Sequence, residues 1–229
     1  MDFSELGARV ADVRERIELA AERGGHAHAV TIVAVTKTHG ADAVRAALEA
    51  GIHDVGENRV QEALGKMPEV SAPVRWHLIG HLQRNKVKSL DRFAMFHALD
   101  SARLADSVDT FGRDRGEAIR CLVQVNAARE GTKGGFYFEE LAAESRRLTS
   151  MSGVRVEGVM TMARLDADET ELRRTFGTAR DARELLSGDG HPASELSMGM
   201  SGDYEIAVEE GATIVRLGTI LFGARDETE

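Results

Sequence analysis

Residues 30–51 read VTIVAVTKTHGADAVRAALEAG, and this stretch contains both patterns that decide the fold. Its first seven residues are apolar or β-branched, which is typical of a strand buried on both faces. After a short connection that contains Lys37, the segment from Asp42 to Ala50 has helical spacing and stops at Gly51. The stretch therefore predicts a strand followed directly by a helix.

The same alternation continues along the rest of the chain. Further strand-like runs are Ile52–Val55, Val74–Ile79, Met95–Leu99, Ile119–Val125, Val154–Met160, Ser194–Met198 and Thr213–Leu217. Helical patterns lie between them at Val60–Lys66, Asn85–Leu90, Ser101–Arg115, Phe138–Met151, Glu169–Leu186 and Gly202–Glu210. An additional helix is predicted before the first strand, from the apolar residues Leu6, Val10, Val13 and Ile17.

Strands that alternate with helices pair in parallel through right-handed crossovers. About eight such units suit either a closed barrel or an open doubly wound sheet. A doubly wound nucleotide binder carries a Gly-x-Gly-x-x-Gly loop after its first strand, whereas the junction Val35–Gly40 has no such pattern. We therefore predict an α/β fold: a single parallel (β/α)8 TIM barrel over residues 1–229, with an extra N-terminal helix.

The composition limits the possible partners. Lys plus Arg number 29 and Asp plus Glu 38, so the 229 residues carry a net charge of −9. Nucleic acids and membrane surfaces bind proteins with a basic field, which this chain lacks. The N-terminus does not resemble a signal peptide, and Cys121 is alone, so an intrachain disulfide is excluded. We expect a cytoplasmic protein with no nucleic-acid or membrane partner.

Two loops at the carboxyl ends of late strands suggest a phosphate site. Functional residues of parallel barrels lie at these ends, and phosphate often binds after strands seven and eight. Ser201–Gly202 follows the seventh predicted strand and opens a predicted helix, while Gly218–Thr219 follows the eighth. Either pair alone would be explained by a simple turn. Together, at both expected positions, they favour a phosphate ligand.

Lys37 and Arg216 indicate what kind of phosphate ligand this is. Lys37 follows an apolar strand, and desolvation there favours the neutral amine that attacks a carbonyl, although a lysine can also extend to solvent. With a phosphate site, it suggests a Schiff-base aldolase or a phosphorylated aldehyde cofactor such as pyridoxal phosphate (PLP). Arg216 lies within an apolar strand and needs an acceptor, either a pyridine nitrogen or a carboxylate on a neighbouring strand.

Other ionisable residues give weaker signals. His77 and His81 are four residues apart, but on a strand that spacing does not place two ligands on one face as a helix does, so no metal site is predicted. Asp54, Glu57 and Asp100 are interpreted as solvated or capping groups rather than as an acid–base pair.

Five motifs together resemble one known family. They are Val33–Lys37, Gly56–Glu62, Trp76–Lys86, Ser197–Asp203 and Val215–Arg225, and they cover much of the chain in the family's order. The chain resembles the pyridoxal phosphate homeostasis proteins, which are similar to the N-terminal barrel of alanine racemase.

The resemblance implies a set of cofactor contacts. PLP would be held as an internal aldimine of Lys37, with Arg216 facing the pyridine nitrogen. Ser201, Gly218 and Thr219 would hold the phosphate.

Three further pocket residues are implied: Asn58 would lie beside the ring or its phenolic oxygen, and His77 and Met160 would line the pocket. The implied function is intracellular PLP buffering or delivery to PLP-dependent apoenzymes by a monomer or weak homodimer, with little or no turnover. A racemase needs two bases on opposite faces of the cofactor, and we expect no second domain to supply one. A weak amino-acid racemase or a related carbanion-forming enzyme is the alternative, and a sugar-phosphate aldolase or isomerase is a third.

Overall fold

The computed structural model describes residues 3–131 and 133–223, and the strands within these ranges form one closed barrel. Each strand pairs in parallel with the next along the chain, and β8 pairs with β1 to close the barrel. The strands are β1 Thr31–Val35, β2 Asp54–Glu57, β3 Arg75–Leu78, β4 Met95–Leu99, β5 Ile119–Gln124, β6 Val154–Met160, β7 Glu195–Ser197 and β8 Ile214–Leu217. The predicted (β/α)8 barrel is confirmed.

Helices cover the outside of the barrel. They are α1 Leu6–Gly24, α2 Ala41–Glu49, α3 Val60–Lys66, α4 Ala102–Arg115, α5 Phe138–Thr149, α6 Glu169–Gly188, α7 Tyr204–Glu209 and α8 Thr219–Phe222. The helix predicted over Asn85–Leu90 is a 3₁₀ helix, Arg84–Arg92, and a second 3₁₀ turn occupies Met67–Glu69. No helix in the described ranges is long and apolar enough to cross a bilayer.

The extra N-terminal helix is also confirmed. Its buried face consists of Leu6, Val10, Val13 and Ile17, from which the helix was predicted, together with Ala20. The helix packs against α7 and α8. Arg23 anchors it through an ion pair of 2.6 Å with Glu209. The helix ends at Gly24 and is capped by Gly25, which has a φ of 70° and whose N–H contacts the last carbonyls of the helix. The single domain predicted over 1–229 stays a prediction, because residues 1–2, 132 and 224–229 lie outside the described ranges.

The barrel interior is not purely apolar. Cys121 is buried in the main hydrophobic core, as its apolar surroundings in the sequence suggest, and burial raises the pKa of its thiol. In contrast, His77, His97, Ser197 and Arg216 are buried polar residues on four strands. Since buried polar groups need hydrogen-bond partners, these residues must satisfy one another, and they do so directly beneath the functional face.

Candidate functional site

A cleft of about 850 Å³ opens at the carboxyl ends of the strands. This is the face of a parallel barrel where functional residues are expected. Six of the residues predicted to bind a cofactor line this one cleft: Lys37, Asn58, Ser201, Arg216, Gly218 and Thr219. The structure therefore brings together residues that lie up to 182 positions apart in the chain.

Lys37 lies two residues beyond the end of β1 and is half-buried in the wall of the cleft. Within the described part of the chain, its Nζ has no hydrogen bond or ion pair. A lysine amine that faces a cleft without a carboxylate partner is available to a ligand.

The backbone just before Lys37 is held by a buried ammonium group. Lys66 on α3 donates from Nζ to the backbone oxygen of Thr36 at 2.8 Å and to Glu57 Oε1 at 2.7 Å. The Thr36 hydroxyl donates to the same carboxylate oxygen. Burial raises the pKa of Glu57, although the hydrogen bonds from Lys66 and Thr36 oppose this shift. These contacts fix the strand end from which Lys37 projects.

The backbone just after Lys37 is held by the same cluster. Lys66 Nζ also donates to Glu62 at 2.9 Å, and Glu62 in turn accepts a hydrogen bond from the backbone N–H of Thr38. Burial opposes ionisation of Glu62, but the hydrogen bonds from Lys66 and Thr38 outweigh it and lower its pKa. Thr38 has a φ of 69°, a conformation that non-glycine residues rarely adopt. We call Thr36, Thr38, Glu57, Glu62 and Lys66 the outer network.

Arg216 occupies the floor of the cleft and is buried. Its guanidinium donates to Ser197 Oγ at 2.6 Å and to the backbone oxygen of Thr161 at 2.9 Å. Burial lowers the pKa of Arg216 to about 10, so it remains charged at neutral pH. The carboxylate partner considered from the sequence is not found among the described residues, since both observed acceptors are neutral. A guanidinium has five N–H donors, so others are free for a ligand.

A chain of hydrogen bonds runs from Arg216 through the barrel interior. Ser197 Oγ lies 2.9 Å from His97 Nδ1, and His97 Nε2 lies 2.8 Å from His77 Nδ1. His77 Nε2 then lies 3.0 Å from Asp54 Oδ1 at the opposite end of the barrel. We call these five residues the inner chain.

The proton positions in the inner chain follow from its two ends. Arg216 can only donate, so Ser197 Oγ accepts from it and donates its own proton to His97 Nδ1. At the other end the Asp54 carboxylate accepts from His77 Nε2, which leaves His77 Nδ1 to accept from His97 Nε2. Burial lowers the pKa of His97, and the nearby charge of Arg216 acts in the same direction, so its ring is neutral. Every N–H or O–H donor of the inner chain therefore points from Arg216 towards Asp54.

The two loops predicted to bind phosphate are in contact. Ser201 Oγ accepts hydrogen bonds of 3.3 Å from the backbone N–H groups of Gly218 and Ile220. Thr219 lies between these two residues and lines the cleft. A cluster of backbone N–H groups and hydroxyls has thus formed at the expected place. These bonds are long, so a stronger acceptor could replace the Ser201 oxygen.

One part of the phosphate prediction is wrong. The helix predicted to begin at Gly202 begins at Tyr204 and has six residues, so it offers no helix terminus at Ser201–Gly202. Instead, Asp203 closes this loop by accepting a 2.6 Å hydrogen bond from the backbone N–H of Met200, and burial raises the pKa of its carboxyl. Phosphate binding here would depend on Ser201, Thr219 and nearby backbone groups.

Asn58 lines the cleft, and the loop that contains Gly80 packs closely against its backbone. A Cβ atom at Gly80 would lie 2.4 Å from the backbone oxygen of Asn58, so only glycine fits. In contrast, His77 and Met160 are not among the residues that line the cleft. His77 is buried in the inner chain, and Met160 packs in the hydrophobic core.

The interpretation of three acidic residues as solvated or capping groups is also wrong. Asp54 and Glu57 are buried in the inner chain and the outer network. Asp100 pairs with His81 across the cleft wall, with 2.7 Å between Asp100 Oδ2 and His81 Nδ1. The sequence signal for this pair was weak, since each residue simply follows a strand. His77 and His81 thus have separate partners, and the described residues contain no group arranged to hold a metal ion.

The fold and the cleft define a barrel of the alanine racemase type. The family model for the alanine racemase N-terminal domain matches residues 9–226. A pyridoxal phosphate homeostasis protein from Pseudomonas aeruginosa is 38% identical over 227 residues, which covers 98% of this chain and 97% of that protein. The chain belongs to the pyridoxal phosphate homeostasis protein family.

Solved structures agree with this assignment. PipY from Synechococcus elongatus without PLP superimposes with a TM-score of 0.86 at 35% identity, covering 95% of this chain and all of that one. PipY with PLP bound superimposes with a TM-score of 0.79 at 37% identity, covering 92% of this chain and all of that one.

Proposed function

We propose that this protein binds PLP covalently through Lys37 and takes part in PLP homeostasis by buffering or delivering the cofactor. The observation that carries the proposal is the cleft itself. A lysine without a partner among the described residues, a buried arginine and two joined hydroxyl-containing loops line one cavity. The name of the Pseudomonas relative and the PLP-bound structure of PipY support this choice of ligand.

The chemistry of the donor set fits PLP. The cofactor supplies an aldehyde that reacts with a primary amine and a pyridine ring that withdraws electrons when it is protonated. Lys37 would supply the amine that forms a Schiff base with this aldehyde. Ser201, Gly218 and Thr219 would bind the phosphate. Asn58 would contact the ring or its phenolic oxygen.

Arg216 is the residue that favours storage over turnover. Because its N–H groups only donate, it can bind a pyridine nitrogen only when that nitrogen is unprotonated. An unprotonated ring withdraws electrons weakly, so carbanion formation is disfavoured. The inner chain holds Arg216 in this donating role, since its other contacts are neutral acceptors.

An absorbance titration tests the assignment of PLP and Lys37. Wild-type protein mixed with PLP should develop a saturable band near the edge of the visible range. Borohydride reduction should then fix the cofactor on the peptide that contains Lys37, as seen by mass spectrometry. The Lys37→Ala variant should lose the band, whereas Lys88→Ala, at an exposed lysine elsewhere, should keep it. The absence of a band in wild-type protein would contradict the proposal.

A deuterium experiment separates a carrier from an enzyme. Neither tyrosine of the chain, Tyr137 or Tyr204, is among the residues lining the cleft, so neither is placed to act as a second base. We expect PLP-loaded protein incubated with L-alanine in deuterated water to leave the amino acid unlabelled and unracemised. Repeated α-deuteration or racemisation would instead support a weak racemase.

Delivery to other proteins is tested by kinetics. A PLP-dependent apoenzyme mixed with the loaded protein should regain activity faster than free PLP is released. The same two proteins separated by a dialysis membrane provide the control. Equal rates in both arrangements would support buffering alone.

A further inference from the structure

The His81–Asp100 pair is not used by the contacts proposed above. His81 lies in the loop after β3 and Asp100 directly follows β4, and both line the cleft that contains Lys37. The histidine side chain is 71% exposed, whereas only 9% of the aspartate side chain is exposed. An exposed imidazole backed by a buried carboxylate is the usual arrangement of a proton-transfer group.

The contact with Asp100 determines which ring nitrogen of His81 carries the proton. Asp100 Oδ2 accepts from His81 Nδ1 at 2.7 Å, which leaves Nε2 as the unprotonated nitrogen of the neutral ring. Within the described part of the chain, Nε2 has no partner. Gly134 covers the carboxylate, since a Cβ there would lie 3.2 Å from Asp100 Oδ2. Asp100 therefore fixes the tautomer and orientation of His81, whose basic nitrogen stays free.

Loading of an aldehyde onto Lys37 requires two proton transfers. A bond forms between Lys37 Nζ and the aldehyde carbon, and the bond between that carbon and its oxygen breaks. The neutral amine loses both of its protons, the oxygen gains two, and one water molecule leaves. No oxidant or reductant is needed. Release consumes one water and runs through the same transfers in reverse.

We propose that His81 carries these protons between Lys37 Nζ and the aldehyde oxygen, with Asp100 as its positioning residue. The proposal rests on the proposed PLP function and adds a catalytic role in loading and release. It gives a carrier a means of exchanging a covalently held ligand rapidly without binding it more weakly. A group of this kind accelerates both directions equally, so it changes rates and leaves the equilibrium unchanged.

The test measures rates and affinity separately. Stopped-flow absorbance after mixing with PLP gives the loading rate, and excess phosphatase that destroys free PLP gives the release rate. In His81→Gln we expect both rates to fall by about 10²-fold, with Kd unchanged. Asp100→Asn should slow both rates by a smaller factor. His53→Gln, at an exposed histidine on the other face of the barrel, should behave as wild type.

Chemical rescue provides a second measurement. Added imidazole should restore both rates in His81→Gly and should not affect wild-type protein. Unchanged rates in the His81 variants, or a raised Kd with a normal loading rate, would overturn the proposal. If wild-type protein does not react with PLP, the proposed function fails as well. If wild type reacts and the His81 variants react equally fast, only the role of His81 fails.

Discussion

Two polar networks support the cleft beneath neighbouring strands, β1 and β8, and they differ in charge. The outer network lies between β2 and α3, and its core is an ammonium group shared by the two carboxylates Glu57 and Glu62. The inner chain runs through the barrel and is charged only at its ends, Arg216 and Asp54, with a hydroxyl and two imidazoles between them.

The difference matches what each network holds. The outer network holds the backbone on both sides of Lys37, so it would position the amine that forms and breaks a bond in the proposed function. The inner chain holds a side chain, Arg216, and determines which of its donors remain for a ligand. We infer that damage to the outer network slows PLP loading, whereas damage to the inner chain weakens binding at equilibrium.

The largest effect is expected in the outer network. Lys66→Met would leave the buried carboxylate of Glu57 and the partly exposed carboxylate of Glu62 without their cation, and the free energy of unfolding should fall by about 3–5 kcal/mol. PLP loading should also slow, because the loop around Lys37 loses its anchor. Urea unfolding and stopped-flow absorbance measure the two effects. The double variant Lys66→Met/Glu57→Leu should recover stability but not the loading rate. If it recovers both, the network stabilises the fold without positioning Lys37.

A smaller effect is expected in the inner chain. His97→Leu leaves Ser197 and His77 each with one buried polar atom unpaired, which should cost about 2–4 kcal/mol of unfolding free energy. Because Arg216 loses its fixed orientation, Kd for PLP should rise by about ten-fold, equivalent to about 1.4 kcal/mol, with a normal loading rate. His191→Leu, which removes one contact to a backbone oxygen outside the barrel, is the control. A slow loading rate in His97→Leu would remove the distinction between the networks.

The sequence predicted the fold and most of the cleft, but not these networks. Apolar strands alternating with amphipathic helices predict a parallel sheet, and the absence of a Gly-x-Gly-x-x-Gly loop favoured a closed barrel. The rule that function lies at strand ends then selected Lys37 and Arg216. Hydrogen-bond partners inside a barrel depend on which residues of different strands lie at the same level along the barrel axis. His97 and Ser197, for example, are 100 residues apart. Strand register also shifts irregularly between β4 and β5, so spacing along the chain could not reveal the pairs.

Asp100 illustrates the same limit on a smaller scale. An acidic residue between a strand and a helix is typical of a cap, and its sequence neighbours favoured that interpretation. Its actual partner, His81, comes from the loop after the preceding strand. The motif containing His81 could have indicated an important residue, but not the carboxylate beside it.

One carboxyl group of each network, Asp54 and Glu57, should change stability with pH in opposite directions. Burial opposes ionisation of Asp54, but hydrogen bonds from His77 and Arg75 outweigh it and lower its pKa to about 2. Its stabilisation is therefore complete above the ordinary aspartate pKa of about 3.9 and is lost as the pH falls towards 2. After allowance for solvent screening near Arg75, the free energy of unfolding should fall by about 1 kcal/mol over this pH range. Urea unfolding of wild type and Asp54→Asn at each pH measures this difference.

Glu57 provides the opposite sign. Since burial raises the pKa of Glu57, this residue ionises at lower pH in the unfolded chain than in the folded protein. The stability of wild type relative to Glu57→Gln should therefore fall as the pH rises. If the differences in unfolding free energy for Asp54→Asn and Glu57→Gln changed with pH in the same direction, the prediction of opposite pKa shifts for the two carboxyl groups would be contradicted.

The smallest effect is expected at the Asp54 end of the inner chain. Arg75 pairs with Asp54, but its side chain is 62% exposed, so Arg75→Gln should cost only about 0.5 kcal/mol. His77 still donates to Asp54 in this variant, so the donor order towards Arg216 is preserved and Kd for PLP should match wild type. Raised salt should weaken the small stability difference further. A large rise in Kd would mean that the orientation of Arg216 depends on the surface ion pair rather than on the buried histidines.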